Sequence, residues 1–210
     1  AGTLEVGHSN AFGLGTLVLN GGRLSGDDAA TSRTISNAVA LGGDVTLGDS
    51  TKTAPVALAG AVTLTGNRTV SLDSRATVSG VIGDGGNGYS MTKEGSAQLT
   101  LSGANTFTGG LVLNAGSVVL SGGNNRLSTA GAVSINGGQL NLGGNSQTVS
   151  TLTMTGGELR DGVLTASSFD LRSGEVSSVL SGAGTLTKNG NGTVTLSGAN
   201  AFTGGASING

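Results

Sequence analysis

The sequence predicts an all-β solenoid, in which short strands wind into a stack of coils. A stretch of 22 residues that begins at Lys93 returns 95 residues later with 13 identities. Short apolar or alternating runs recur along the whole chain, and glycine, asparagine or aspartate separates them. Glycine provides 41 of the 210 residues, whereas proline occurs once and aromatic residues make up 2%. These three observations favour repeated turns over a globular domain with a large aromatic core.

The composition excludes several other classes of protein. Glycine is frequent without a Gly-X-Y period, and Val, Leu and Ile recur between the glycines, which excludes collagen and argues against disorder. The formal net charge is −2 and the lysines and arginines do not cluster, so nucleic acid is not an expected partner. With no cysteine, disulfides and thiolate metal sites are excluded. No apolar run has the length of a transmembrane helix, and direct membrane insertion is not expected.

Each short run predicts a strand of a few residues, because Val, Leu, Ile and Thr recur in it and turn-forming residues follow it. No spacing of apolar residues at three and four positions predicts an amphipathic helix. In chain order, the predicted strands are residues 3–6, 16–19, 39–41, 45–47, 56–58, 62–64, 70–72, 77–82, 111–113, 117–120, 132–135, 139–142, 151–154, 162–164, 175–180, 184–187 and 193–196.

The long repeat favours a solenoid over a sandwich, since a solenoid stacks equivalent segments whereas a sandwich gives each strand a distinct place. A weaker correspondence relates residues 1–6 to 115–120 and residues 19–24 to 135–140. We therefore predict two divergent super-repeats, residues 1–114 and 115–210, in one continuous solenoid without a linker. Roughly 20 residues per coil would give about ten coils. The ends are nearly in phase, which predicts an uncapped fragment of a longer array with same-type repeats before and after it.

Both copies of the repeated stretch carry the pattern K-x-G-x-G-x-L-x-L-S-G-x-N-T-Y/F-T-G with few departures. Ala97 replaces the second glycine in the first copy, and Val194 and Ala201 replace the first leucine and the threonine in the second. The pattern resembles the passenger-associated transport repeat, also described as the autotransporter-associated β-strand repeat. The positions that carry this structural motif are Lys93, Gly95, Leu101, Ser102, Gly103, Asn105, Phe107, Thr108 and Gly109 in the first copy, and Lys188, Gly190, Leu196, Ser197, Gly198, Asn200, Phe202, Thr203 and Gly204 in the second.

The resemblance implies a right-handed parallel β-helix in the secreted passenger of a type V secretion system. It implies a protein of the Gram-negative cell surface, whose signal and anchor lie outside this chain. The expected function is a structural rod or fibre segment for adhesion, biofilm formation or surface presentation, without catalysis and without a cofactor or metal. Host or matrix glycans and proteins are the expected external partners. Within the motif, we expect asparagine at a corner or in a hydrogen-bonding ladder, and phenylalanine packed between coils.

Other functions leave weaker signals. His8 is the only histidine, and no nucleophile elbow accompanies it, so a turn or surface position is expected. A carbohydrate-active β-helix enzyme would need converging carboxylates, and the closest groups are Asp27 with Asp28 and Glu158 with Asp161. We interpret these acids as solvated loop charges. A filament subunit that stacks head to tail is a further alternative, which the in-phase ends favour.

The stretch 83–88 satisfies G-x-G-x-x-G letter by letter. A dinucleotide site needs a helix directly after such a loop to receive the pyrophosphate, whereas residues 89–93 predict a strand. The same stretch approaches a calcium-binding Gly-Gly-x-Gly-x-Asp repeat, but Ser90 occupies the aspartate position and the nonapeptide does not recur. Neither ligand is expected here.

Overall fold

The computed structural model describes residues 2–209, which form strands joined by turns, with no helix among them. No segment of this described part has the helical length and hydropathy needed to cross a membrane. In chain order the strands are β1 (Thr3–Val6), β2 (Leu17–Leu19), β3 (Arg23–Gly26), β4 (Arg33–Ile35), β5 (Val39–Leu41), β6 (Val45–Leu47), β7 (Val56–Leu58), β8 (Val62–Leu64), β9 (Arg68–Leu72), β10 (Ala76–Val78), β11 (Ile82–Gly83), β12 (Met91–Glu94), β13 (Gln98–Leu101), β14 (Leu111–Leu113), β15 (Ser117–Leu120), β16 (Val133–Ile135), β17 (Gln139–Thr148), β18 (Leu152–Met154), β19 (Glu158–Thr165), β20 (Ser168–Leu171), β21 (Gly174–Val176), β22 (Val179–Gly182), β23 (Thr185–Asn189), β24 (Val194–Leu196), β25 (Ala201–Phe202) and β26 (Ala206–Asn209).

The strands form three sheets that run along the stack. The first sheet has 11 strands in the order β1-β3-β6-β9-β12-β14-β16-β18-β20-β23-β26. The second also has 11 strands, with the path β24-β21-β19-β17-β15-β13-β10-β7-β4 and with β22 and β25 beside it, and the third contains β11-β8-β5-β2. All these strand pairs are parallel. The prediction of an all-β solenoid of about ten coils is confirmed.

Alternation along each strand places the core inside the stack. In β7, Val56 and Leu58 are buried while Ala57 between them is partly exposed, because successive side chains of a strand point to opposite faces. Equivalent inward residues then stack in columns, and one column of the first sheet contains Val70, Lys93, Leu113, Ile135, Met154, Leu171, Lys188 and Ile208. A lysine therefore enters an otherwise apolar column twice.

The structure corrects several predicted strand boundaries. Residues 77–82 and 175–180 were each expected to form one strand, but both segments turn a corner and contribute to two strands. The corner in the first segment contains Gly80, which lies so close to the Gly60 backbone of the previous coil that a Cβ would collide with it. Sequence patterns also failed to predict β3, β4, β13, β20, β25 and β26, because each of these short strands has at most two apolar residues.

Candidate functional site: the corner clamps of the repeated motif

The first copy of the motif makes one full coil of the solenoid. It begins in β12 on the first sheet, continues through β13 on the second, and returns to the first sheet in β14. Lys93 pairs in register with Leu113, which closes the coil. Because further coils lie on both sides of it, the polar motif residues of this copy contact backbone groups above and below. We call these contacts the corner clamps.

The lysine clamp consists of Lys93 and three backbone carbonyls. The Lys93 side chain is fully buried in the core column. Its Nζ donates to the oxygens of Glu94 at 2.7 Å and Gly95 at 2.8 Å, and to that of Ala115 in the next coil at 3.2 Å. A buried ammonium group is costly unless its hydrogens are bonded, and these carbonyls supply one acceptor for each of its three hydrogens. The clamp thereby joins two coils.

Gly95 makes this arrangement possible. Its φ of +75° lies in the left-handed region, and a Cβ on Gly95 would collide with the Leu72 backbone in the previous coil. The motif spacing K-x-G thus has a direct explanation, because the glycine turns the corner at which the lysine finds its acceptors. Burial lowers the pKa of Lys93 to about 8, while the neighbouring Glu94 charge acts in the opposite direction.

The amide clamp is formed by Asn105 at a later corner of the same coil. Asn105 is 4% exposed. Its Oδ1 accepts a hydrogen bond from the Ile82 amide of the coil below at 2.8 Å, and its Nδ2 donates to the Arg126 oxygen of the coil above at 2.8 Å. Two coils above Asn105, Gln147 bonds in a similar way to the coil below it, since its Oε1 accepts from the Arg126 amide at 2.7 Å. Side-chain amides thus replace backbone ladder bonds at this corner.

The aspartate clamp connects Thr108 to the loop of the coil below. Asp84 is 2% exposed, and its Oδ2 accepts from the Thr108 amide at 3.0 Å, from the Thr108 hydroxyl at 2.8 Å and from the Tyr89 amide at 3.0 Å. Its Oδ1 accepts from the Gly86 amide at 2.9 Å. Burial by itself would raise the pKa of Asp84, but these hydrogen bonds outweigh it and lower the pKa to about 2.

Asp84 and Gln147 are clamp residues that the sequence patterns did not predict. Asp84 lies in the G-x-G-x-x-G stretch that was weighed as a ligand loop, and this stretch forms a turn followed by β12 rather than by a helix. The available signal was an aspartate between glycines, which is typical of a side chain that bonds nearby backbone amides. Gln147 carries no local signal, since its partner belongs to another coil.

Phe107 and the remaining motif positions of the first copy pack against the coils. Phe107 is 1% exposed and belongs to the apolar core, as does Leu101. The backbone carbonyl oxygen of Ser102 accepts a hydrogen bond from the Arg126 guanidinium at 3.0 Å. A Cβ on Gly103 would collide with the Gly80 oxygen below. The Gly109 amide donates to the Tyr89 oxygen at 3.1 Å.

In the second copy the lysine and asparagine make similar contacts. Lys188 Nζ donates to the oxygens of Asn189 at 3.0 Å and Gly190 at 2.5 Å. The residue that corresponds to Ala115 is Gly210, which lies outside the described residues. Asn200 Oδ1 accepts from the Leu180 amide of the coil below at 2.8 Å.

The other motif positions of the second copy are more exposed than their counterparts. Leu196 is 41% exposed, and the Ser197 amide donates to the Val176 oxygen. Phe202 is partly buried, and its ring centroid lies 5.8 Å from that of Phe169. The Thr203 amide donates to the Gly182 oxygen at 2.8 Å, so a backbone carbonyl occupies the place of the Asp84 carboxylate. Gly198 and Gly204 both lie against backbone atoms of the coil below.

A family model matches both copies of the repeated motif. Both segments match the passenger-associated-transport-repeat. The matches cover residues 91–120 and 186–210, about a quarter of the chain, and they confirm the resemblance that the motif predicted. A comparison with curated proteins and one with solved structures each found no match. The passenger-associated-transport-repeat indicates a segment of an autotransporter passenger, and hence a secreted protein of the Gram-negative cell surface.

The other candidate residues lie apart from the clamps. His8 is exposed in a turn, where its Nδ1 accepts a hydrogen bond from the Asn10 amide at 3.1 Å. The acids weighed as catalytic groups contact basic side chains: Asp27 binds Arg33, Asp28 binds Lys52, and both Glu158 and Asp161 lie next to Arg160. Within residues 2–209 no three His, Cys, Asp or Glu side chains form a group that could hold a metal ion.

Proposed function

We propose that this chain is a structural segment of a secreted passenger of the autotransporter type. In this role it serves as a rod at the surface of a Gram-negative bacterium. One observation carries the proposal: the segments that match the passenger-associated-transport-repeat contribute their polar side chains to contacts between coils. Lys93, Asn105 and Thr108 each bond to a neighbouring coil. Groups engaged in this way support the stack itself.

The dimensions of the solenoid suit the role of a spacer. Eleven parallel strands in one sheet, separated by about 4.8 Å, extend over roughly 50 Å. Because every strand bonds to its neighbours along this axis, the rod resists bending and stretching. A rigid rod at the cell surface holds other parts of a passenger away from the membrane, which serves adhesion or biofilm formation.

The proposal is tested by display of the 210-residue chain on a Gram-negative host, between a signal peptide and a translocator barrel. We expect the chain to reach the surface in a folded form that resists external protease, and the displaying cells to adhere more to coated surfaces than cells that display the barrel alone. Protease accessibility and antibody labelling of intact cells measure the first result, and adherence assays measure the second.

A matched pair of variants tests the contribution of the motif. Asn105→Ala removes the amide clamp, and we expect less protease-resistant chain at the surface. Thr106→Ala is the control, because the Thr106 side chain is exposed and the second copy has Ala201 at this position. Display without protease resistance, or unchanged adherence with full display, would contradict the proposed role.

A further inference from the structure

The chain contains several Asn–Gly pairs, which are sites of possible chemical modification and lie in different structural surroundings. An Asn–Gly pair can undergo deamidation, because glycine has no side chain to hinder attack of its amide nitrogen on the asparagine carboxamide. The reaction requires that both groups are free to approach each other. The sequence has six such pairs, which begin at Asn20, Asn87, Asn136, Asn189, Asn191 and Asn209.

Two of these asparagines are held in hydrogen-bonded ladders on the outside of the first sheet. Asn136 Nδ2 donates to Asn114 Oδ1 at 2.8 Å, and its Oδ1 accepts from the Thr155 hydroxyl at 3.0 Å. Asn189 Nδ2 donates to Asp170 Oδ1 at 2.8 Å, and its Oδ1 accepts from Asn209 at 3.2 Å. Rotation of either carboxamide toward the following glycine would break two hydrogen bonds. The ladders therefore protect both pairs.

Three further pairs are restrained or lie partly outside the described residues. Asn87 Nδ2 donates to the backbone carbonyl oxygen of Asp84 at 2.7 Å, and the Gly88 amide donates to the Thr108 hydroxyl at 3.1 Å. Asn20 Oδ1 packs against Gly42 in the next coil. Asn209 precedes Gly210, which the structure does not describe.

Asn191 differs from the asparagines of these pairs that are held by hydrogen bonds. It is exposed at the corner between β23 and β24, and neither its carboxamide nor the Gly192 amide has a hydrogen-bond partner among residues 2–209. Gly192 packs against Ser173 of the coil below, where a Cβ would lie 2.7 Å from the Ser173 Cβ. This close packing favours glycine, the residue that permits attack on Asn191.

The exposure of this corner does not depend on its position in the stack. The corresponding residues of the first copy are Ser96 and Ala97, and the coil that contains Gly116 lies above them. Ser96 is nevertheless exposed, and the Ala97 amide has no partner in the described part of the chain. The same corner is thus open in a copy that has coils on both sides.

We propose that Asn191–Gly192 is a modification site at which the folded chain deamidates. The Gly192 nitrogen forms a bond to Asn191 Cγ, the bond from Cγ to Nδ2 breaks, and ammonia leaves with the proton of the attacking amide. Water then opens the cyclic imide at one of its two carbonyls, which gives aspartate or isoaspartate. The product has a new carboxylate at the corner that follows the Lys188 carbonyl contacts, and isoaspartate lengthens the backbone there by one atom.

The experiment compares the same sites in the folded and the unfolded chain. The 210-residue protein is incubated in mildly alkaline buffer with and without urea, and peptide mapping by mass spectrometry follows each Asn–Gly pair with time. We expect Asn191 to react in both states, whereas Asn136 and Asn189 react only in urea. Chromatographic separation of the aspartate and isoaspartate peptides identifies the cyclic intermediate.

Asn191→Ser provides the matched control, since serine occupies the corresponding position of the first copy. This variant should lose the modification at position 191 and keep the same protection of Asn136 and Asn189. Folded-state protection of Asn191 equal to that of Asn136 would overturn the proposal. Reaction of Asn136 in the folded chain at the rate of Asn191 would overturn it as well.

Discussion

The two copies of the passenger-associated-transport-repeat have similar motif residues in different surroundings. In the first copy, Lys93, Asn105 and Phe107 are buried between coils. In the second copy, Asn200 and Phe202 are partly exposed, and within residues 2–209 no coil covers their outer side. Asn105 bonds to the coils below and above it, whereas Asn200 bonds to the coil below. The motif therefore reaches its full set of contacts only between two coils.

This difference indicates that the stability of each coil depends on the coils next to it in the stack. Each coil of a solenoid contributes its own free energy and that of its interfaces with adjacent coils. A side chain with partners on both sides contributes to two interfaces, so its removal weakens the stack in two places. Equivalent substitutions in the two copies are therefore a direct test of the comparison.

The largest expected difference concerns the two phenylalanines. We expect Phe107→Ala to lower the free energy of unfolding by about 3–5 kcal/mol, since it leaves a cavity in a packed core. Phe202→Ala should cost about 1–2 kcal/mol, because only part of its ring is removed from water. Urea unfolding followed by circular dichroism measures both, as the chain has no tryptophan. Equal effects of the two substitutions would refute the dependence on neighbouring coils.

The lysine clamp gives a pH-dependent prediction. Because burial lowers the pKa of Lys93 to about 8 from its usual 10.5, the unfolded chain binds more protons than the folded chain between these values. The contribution of Lys93 to the free energy of unfolding should therefore rise with pH in this window. We expect a rise of about 1–3 kcal/mol, because the carbonyl acceptors favour the charged form and oppose part of the effect of burial. The measured quantity is the stability difference between wild type and Lys93→Met as a function of pH.

In Lys93→Met the three carbonyls that accept from Lys93 Nζ lose their donor. We expect this loss to lower the free energy of unfolding by about 1–3 kcal/mol near neutral pH. Lys188→Met is the matched variant, with a smaller expected loss, because Lys188 is partly exposed. A stability difference between wild type and Lys93→Met that does not change with pH would show that the buried charge is not held as described.

The smallest expected effect belongs to Asp84, whose place in the second copy is taken by the Gly182 carbonyl. Since the folded-state pKa of Asp84 is lowered to about 2 from the usual 3.8, the stability it provides is complete above pH 4 and is lost as the pH falls toward 2. Solvent lies close to this corner of a thin rod, so we expect a contribution of about 1–2 kcal/mol.

Asp84→Asn should therefore be less stable than wild type at neutral pH and about equally stable near pH 2. Thermal unfolding at both pH values measures this convergence. Glu175→Gln is the control, because Glu175 is exposed on the second sheet. Parallel loss of stability by wild type and Asp84→Asn over the acid range would contradict the aspartate clamp.

The sequence alone predicted the class of fold, the approximate number of coils and the family of the repeat. The family follows from the resemblance of the repeated motif, whereas the fold class and the number of coils follow from local features: strands alternate with a period of two, glycines mark the corners, and a solenoid repeats its contacts in register. The same local signals did not predict that residues 77–82 turn a corner, because an apolar run has the same appearance on either side of a bend. The division into super-repeats 1–114 and 115–210 stays a prediction.

Only the tertiary structure decided what the motif residues contact. The charge of Lys93 by itself predicts a surface position. The register nevertheless places this lysine in the core between Val70 and Leu113. Asp84 and Thr108 are 24 residues apart and meet because they lie in adjacent coils. A local pattern determines which way a strand faces, whereas the partner of a side chain depends on the length of the intervening coil. That length results from all the corners between the two residues.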